Sequence, residues 1–404
     1  MKYKYLTLKY ALVNAAFMFL VCATVGYSYN FLSQSGFADG TVGIIITAVS
    51  VCGLIGQTLS GSLIDKSEKI DEQTFISGAL IIVFALAVLL ALLPEGSVLM
   101  IIVTVICFTF ASIGMPFLNS MAFIYEKDGQ TINYGLCRGI GSAAWAVGSS
   151  LIGQLWSIMG KTILPWYVAG FAALCFVLIR LMPKPSAEAV RAAEANEEQA
   201  KPKDLSYVAF FGKYKKMLIV ALAMICMYFC HMMINTYIAK IIANMMGEGA
   251  NVTGAVESVQ GNALFIAAIV ELPTMFLFSK IIEKLSIHKV MVFAAVIWSL
   301  KHVLTWLCPN VIMFYGVMIL QMFSYAALVP ACVYFANESV DAGDRNKSQA
   351  IFGATATVGT LLASLVGGQL FQYMSVKPVI FVGVAVSIIG TVLMIIGIRA
   401  VESE

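Results

Sequence analysis

Charge, histidine and long polar stretches are all scarce in this chain. Only 12% of its 404 residues are Asp, Glu, Lys or Arg, and there are three histidines. With 60% hydrophobic residues and a mean hydropathy of +0.89, an ordinary soluble domain is excluded. The formal net charge of +3 is too slight to imply a nucleic-acid partner. No Walker loop is present, so ATP does not drive the protein directly. Nine cysteines (Cys22, Cys52, Cys107, Cys137, Cys175, Cys226, Cys230, Cys308 and Cys332) all lie in or at the edge of apolar runs. Cys226 and Cys230 are four apart, but no His or Cys cluster completes a metal site. The cysteines read as packing residues, and neither a metal nor a cofactor is expected. No nucleophile–base constellation appears either, so an enzyme is the least expected class.

What the chain has in abundance is apolar length. Twelve runs reach or approach the twenty residues that cross a bilayer: 8–31, 41–64, 74–93, 97–124, 134–158, 162–182, 216–243, 258–282, 287–308, 311–337, 347–373 and 377–399. Gly, Ala and Ser are scattered through them, as close helix packing in lipid requires. The first run is longer than a signal peptide and has no small-residue cleavage site, so it reads as a retained span. The fold class is therefore an all-α integral membrane protein of twelve spans.

Lys and Arg set the expected orientation. Lys2, Lys4, Lys9, Lys66, Lys69, Lys280, Lys284, Lys289, Arg345 and Lys347 fall on one side, while the opposite loops hold only Lys161 and Lys377. The positive-inside rule then puts both termini in the cytoplasm of a cell (inner or plasma) membrane.

One segment breaks the apolar rhythm. From Pro183 to Lys203 the chain is polar and rich in Ala and Glu, as a flexible linker is. Tyr207, Phe210, Phe211 and Tyr214 then alternate with Lys213, Lys215 and Lys216, a mix suited to a short helix at headgroup level. The expected organisation is a six-helix bundle over 1–182, a linker over 183–215 and a second six-helix bundle over 216–404. The halves echo each other. Pro116 and Pro330 are equivalent in the fourth and tenth spans. Ser150-Leu-Ile-Gly-Gln154 resembles Ser364-Leu-Val-Gly-Gly-Gln369 at the same offset. Duplicated bundles of this kind place substrate near the bilayer midplane and work by alternating access.

Between the second and third spans stands Gly61-Ser-Leu-Ile-Asp65-Lys66. It resembles the signature loop of the major facilitator superfamily, in which Gly61, Asp65 and Lys66 would form a conformational latch. Glu283-Lys284 is a degenerate copy in the second half.

The most informative polar residue is Arg138. An unpaired Arg inside a span costs about 3 kcal/mol on insertion scales, so it needs a partner, a wet cavity or a function. Trp145 follows seven residues later on the same helical face. Tyr134, Gly135, Arg138, Gly141 and Trp145 are together similar to a fifth-span pattern of the lactose permease and oligosaccharide–proton symporter branch. That resemblance implies an Arg that hydrogen-bonds sugar hydroxyls and a Trp that stacks on the ring. The Arg-x-x-Gly part also resembles phenylpropionate and nucleoside permeases. A guanidinium snorkelling to the surface beside a packing Trp is the other reading of the same residues. The chain departs from the branch elsewhere. The fourth-span carboxylate is replaced around Asn119, the tenth-span charges by Gln321, Ser324 and Ala327, and the seventh-span acids have no counterpart.

Glu271, two residues before Pro273, is the one carboxylate well inside a run. In lipid it can exchange a proton near neutral pH, or serve as a structural partner of Lys301 or Arg138. Lys301 and His302 stand together in the ninth span, for coupling or for snorkelling. Tyr228, His231 and Asn235 share one stripe of the seventh span and are candidate substrate contacts. Tyr27, Asn30 and Tyr325 are weaker candidates of the same kind. The expected function is proton-coupled import of a small polar solute, a sugar or glycoside first, by a monomer. Export, uptake of nucleosides, aromatic acids or drugs, and a non-transporting sensor are the alternatives.

Overall fold

The computed structural model describes residues 5–66, 70–186 and 206–402, and over these the chain is helical with no strand. Lys2, Lys4, Lys69 and the linker between 187 and 205 lie outside the described residues. Among the described residues sixteen α-helices run in order. The first seven are α1 (Leu6–Gly26), α2 (Ser28–Gln34), α3 (Asp39–Lys66), α4 (Glu72–Leu92), α5 (Val98–Lys127), α6 (Tyr134–Met159) and α7 (Ile163–Arg180). Then come α8 (Tyr207–Lys213), α9 (Met217–Thr236), α10 (Ile238–Met246), α11 (Ala255–Ile282) and α12 (Ile287–Leu307). Helices α13 (Val311–Met318), α14 (Tyr325–Glu338), α15 (Arg345–Tyr373) and α16 (Val376–Glu402) complete the set. Among the described residues eleven stretches are long and apolar enough to span a membrane. One of them, Tyr134–Arg180, is 47 residues long and contains both α6 and α7, joined by the 3-10 turn Gly160–Thr162. The twelve expected spans follow.

Polar residues at the ends of apolar runs start the helices by capping. Asp71, Ser97, Asn133, Ser286 and Asn310 each accept a hydrogen bond from the backbone N–H three residues on, satisfying a donor the helix leaves free. Asp71 also pairs with Lys184 at 2.7 Å. Burial alone would raise its carboxyl; hydrogen bonds from Lys184 and Thr74 hold it below the usual carboxylate value. That contribution is therefore present above the usual range and lost as pH falls through the lowered value.

By contact the chain falls into two units, Met1–Ala200 with Val252–Phe265, and Lys201–Asn251 with Ile266–Glu404. Helix α11 contributes its first part to one and its second part to the other. In the first unit α1 packs on α6 and α7, and α4 packs on α5 and α7. The second repeats this scheme, with α9 on α15 and α16, and α12 on α14 and α16. Small residues make the approach possible. A methyl group on Gly359 of α15 would stand 2.9 Å from the Phe229 backbone nitrogen of α9, so this contact needs glycine.

The repetition extends to single atoms. The first span breaks at Tyr27, between α1 and α2, and the seventh at Tyr237, between α9 and α10. Both tyrosines are fully buried. Tyr27 donates to the Ser149 carbonyl at 2.7 Å and Tyr237 to the Ser364 carbonyl at 2.6 Å. Tyr27 stacks on Trp156 and Tyr237 leans on Phe371. The tyrosine anchors thus equate Ser149 with Ser364, one residue away from the Ser150 register that the sequence echo suggests. Each hydroxyl fixes a broken helix to the packed fifth or eleventh span. Tyr237→Phe is expected to lose about 1 kcal/mol of stability, the net value of one such bond. Adding Tyr27→Phe should roughly double the loss, because the two bonds lie in different units. Thermal unfolding of the purified protein checks this, and an unchanged midpoint in both variants would refute the anchoring role.

A buried charge chain and an aromatic cluster as the candidate functional site

The second unit gathers its polar residues where the tenth span is broken. Helix α13 ends at Met318, a 3-10 turn covers Ile319–Met322, and α14 starts at Tyr325 after the irregular Ser324. Such breaks in spanning helices persist only where the backbone is buried in protein or lines a cavity. Gln321 sits in the 3-10 turn and is 4% exposed. Its oxygen accepts from Lys301 Nζ of α12, and its Nε2 donates to Glu271 Oε1 of α11 at 2.9 Å. A neutral amide thus bridges the two charges. Lys301 is 5% exposed, so its ammonium is held inside rather than snorkelling. Proline does not kink α11 out of helix at Glu271, since Ala255–Ile282 is continuous through Pro273.

Beside this chain the rings converge. His231 of α9 stacks on Tyr325 at 5.0 Å between centroids and meets Trp298 of α12 at 5.2 Å. Tyr228 meets Trp298 edge-on, and Trp298 also contacts Tyr325 and His302. Asn235 donates to His231 Nε2 at 2.9 Å and to the His231 carbonyl at 3.0 Å, so Nε2 is the acceptor nitrogen. His302 Nδ1 donates to the Trp298 carbonyl at 2.7 Å. The buried Trp298 indole N–H has no acceptor among the described residues. Tyr228, His231 and Asn235 therefore do share a stripe, and it faces this cluster.

In the first unit Arg138 lies just over one turn into α6, set there by the Asn133 cap. Its side chain is exposed and takes part in no ion pair among the described residues. Trp145 is half-buried on the same helix. Between them Gly141 lets the buried Asn14 of α1 come close. Tyr10 of α1 donates to the Leu118 carbonyl of α5 at 2.8 Å, and Phe123 meets Tyr134. Asn119, one turn before Phe123, keeps a buried amide oxygen without a hydrogen bond among the described residues. Asn119 and Arg138 thus flank the same α5–α6 contact. Tyr27 stands apart from them, committed to its backbone anchor.

A fully buried carboxylate heads the eighth span, at a position the sequence places just outside the apolar run. Glu257, 3% exposed, lies in the first turn of α11 and receives Asn30 Nδ2 at 3.0 Å and Gln34 Nε2 at 2.7 Å. Asn30 also donates to Gln260, whose amide donates to the Gly26 carbonyl. The i, i+3 spacing of Glu257 and Gln260 was the available signal. Gln260 and Glu271 thus share a helix but belong to different clusters.

Over residues 10–382 the chain matches the MFS_1 like family. It belongs to that family. No curated protein matches it. Among solved structures, this MFS chain is similar to the nucleoside transporter NupG, with a TM-score of 0.78 and 15% identity over 99% of both chains. It is similar to a bacterial homologue of the iron transporter ferroportin in an inward-facing state, with a TM-score of 0.73 and 13% identity over 98% of this chain and 100% of that one. It is also similar to a D-xylose–proton symporter, with a TM-score of 0.68 and 13% identity over 98% and 97%. Identities this low establish the fold alone. Family and fold make this MFS protein a multi-pass membrane transporter of a small-molecule substrate, not an enzyme. Of the latch residues, Gly61 lies in the last turns of α3 with open space around it; the side chains of Asp65 and Lys66 lie outside the described part. Among the described residues no group of three His, Cys, Asp or Glu could hold a metal ion.

Proposed function

We propose that this transporter imports a small polar organic solute, a sugar or glycoside, by symport with protons. Arg138, Trp145 and Asn119 in the first unit, with Tyr228, His231 and Asn235 in the second, are its substrate contacts, and Tyr27 holds the frame behind the first set. Glu271, with Lys301 and His302, couples the proton. Gly61, Asp65 and Lys66 latch one conformation. The transporter works as a monomer in a cell membrane with both termini in the cytoplasm.

The observation that carries this reading is the Lys301–Gln321–Glu271 chain at the break of the tenth span. Charges buried in a membrane protein are costly and tend to mark ion or proton pathways. Here they are separated by an amide mounted on irregular backbone, so movement of the break would change how the charges meet. Protonating Glu271 removes the negative end of the chain and leaves Gln321 Nε2 with a neutral, weaker acceptor. Discontinuous helices near the midplane are where transporters bind substrate and coupling ion. The aromatic cluster beside the chain offers ring faces and an unpaired indole donor, which suit a polar ring better than a linear ion. A rigid guanidinium fork in the first unit suits adjacent hydroxyls.

A thermal-shift screen of sugars, glycosides, nucleosides and aromatic acids on the purified protein tests the substrate class. Stabilisation by a sugar or glycoside that Arg138→Ala abolishes is the expected result. Stabilisation by nucleosides or aromatic acids alone would overturn the sugar assignment.

A further inference from the structure

We propose that the head of α11 is a gate, docked on α2 and α6 in this structure and released from them in each transport cycle, with Glu257 as its latch. The proposal rests on transport by alternating access and does not depend on which solute or ion is carried. Helix α11 is continuous from Ala255 to Ile282. Its residues up to Phe265 nevertheless belong to the first unit, and those from Ile266 onward to the second. It is also the least buried of the candidate spans, so no core encloses it along its length. Its hold on the first unit lies in about three turns at its head.

Three glycines bring backbone against backbone there. A methyl group on Gly153 of α6 would stand 2.4 Å from the Glu257 carbonyl oxygen. One on Gly261 would stand 2.6 Å from the Ser149 carbonyl oxygen, and one on Gly254 2.2 Å from Ser157 Cα. The side chains that bridge this seam are polar. Ser150 donates to the Asn262 amide oxygen at 3.2 Å, and Ser258 to the Gln154 amide oxygen at 3.1 Å. A seam of glycine and short polar groups buries little apolar surface, and water can replace each of its side-chain bonds. Such a surface can part without emptying a core.

Glu257 supplies the hold that the seam lacks. Its carboxylate, 3% exposed, accepts from Asn30 Nδ2 at 3.0 Å and from Gln34 Nε2 at 2.7 Å. Both donors belong to α2, at the end of the first span. The Gln34 amide oxygen accepts in turn from the Trp156 indole of α6 at 3.2 Å. One carboxylate therefore ties the head of α11 to α2, and through Gln34 to α6. Bonds from neutral donors to a carboxylate are charge-assisted, roughly twice as strong as neutral ones. On release, carboxylate and amides all return to water, and no cation is stranded inside the protein. That combination suits a contact that is made and broken repeatedly. With both termini in the cytoplasm, as proposed above, this gate closes the outer side.

The test uses the purified full-length protein and needs no solute. Ser150→Cys places a thiol in the seam, and its modification by a water-soluble maleimide is followed by mass spectrometry of the peptide that contains it. With Glu257 intact the docked head should shield the thiol. Glu257→Gln should speed modification about tenfold, the order expected when a charge-assisted acceptor becomes a neutral one. Gly153→Ala should speed it too, by wedging the helices apart while keeping the latch. In a second arm, Ser150→Cys with Asn262→Cys is oxidised to a disulfide across the seam. Uptake of the solute found in the thermal-shift screen should then fall below about a tenth and recover on reduction. Modification rates unchanged by Glu257→Gln and Gly153→Ala, or full uptake by the cross-linked protein, would overturn the gate. The head would then be welded to the first unit. A wrong sugar or proton assignment would leave the modification rates as expected, so the two failures are distinguishable. Gel filtration of each variant verifies folding.

Discussion

Glu271→Gln is expected to abolish accumulation of solute against its gradient while leaving exchange across the membrane intact. A pH difference of one unit is worth about 1.4 kcal/mol for one proton, so a one-to-one symporter accumulates its solute about tenfold. With a residue that cannot release a proton, the same gradient should accumulate it about onefold, which is simple equilibration. The neutral amide remains able to bond with Gln321, so the break in the tenth span keeps its partner and the protein should fold. Lys301→Gln is the companion variant. It removes the positive end of the chain and leaves Glu271 half-buried against the neutral Gln321 amide, so coupling should fail there too. Counterflow and pH-driven uptake in proteoliposomes separate the two functions. Tenfold accumulation by Glu271→Gln would show that another group carries the proton.

Arg138→Ala is expected to lower kcat/KM for uptake by at least a hundredfold without changing the unfolding midpoint. The side chain is exposed and unpaired among the described residues, so its removal takes away no internal bond. Hydrogen bonds to a charged group contribute about 1.5–3 kcal/mol each, and losing two of them to a solute's hydroxyls gives the hundredfold figure or more. Arg138→Lys should fall between, because an ammonium keeps the charge and loses the bidentate fork. A lowered midpoint with normal uptake by the surviving folded fraction would assign Arg138 to structure instead.

The spans were legible because a bilayer demands some twenty apolar residues, whatever their order. The duplication was legible too, but only coarsely. The serine echo points to Ser150 and Ser364, whereas the tyrosine anchors pair Ser149 with Ser364. Short matches cannot fix a register to one residue; a hydroxyl on one carbonyl can. The breaks in the first, seventh and tenth spans were not legible. Prolines suggest where helices bend, yet Pro116, Pro273 and Pro330 all sit inside continuous helices. The breaks fall instead at Tyr27, Tyr237 and Ser324, where long-range packing decides the backbone and local propensity does not.

The candidate site was legible in its residue types and not in its pairings. Arg138, Glu271, Lys301 and the Tyr228–His231–Asn235 stripe stand out because charge and polarity are rare in this chain. That Lys301 reaches Glu271 through Gln321 could not be read from spacing, since the three residues lie on three helices. Glu257 was missed because it heads a span, where a carboxylate looks like an ordinary first-turn acid. Only its burial with Asn30 and Gln34 sets it apart.

Proton symport through Glu271 is the centre of this account. Proteoliposomes loaded with a pH-sensitive dye, with no gradient imposed, test it when the solute found in the thermal-shift screen is added outside. Wild-type protein should acidify the lumen as solute enters, and Glu271→Gln should not. Solute entry with no change of internal pH in the wild type would contradict the account.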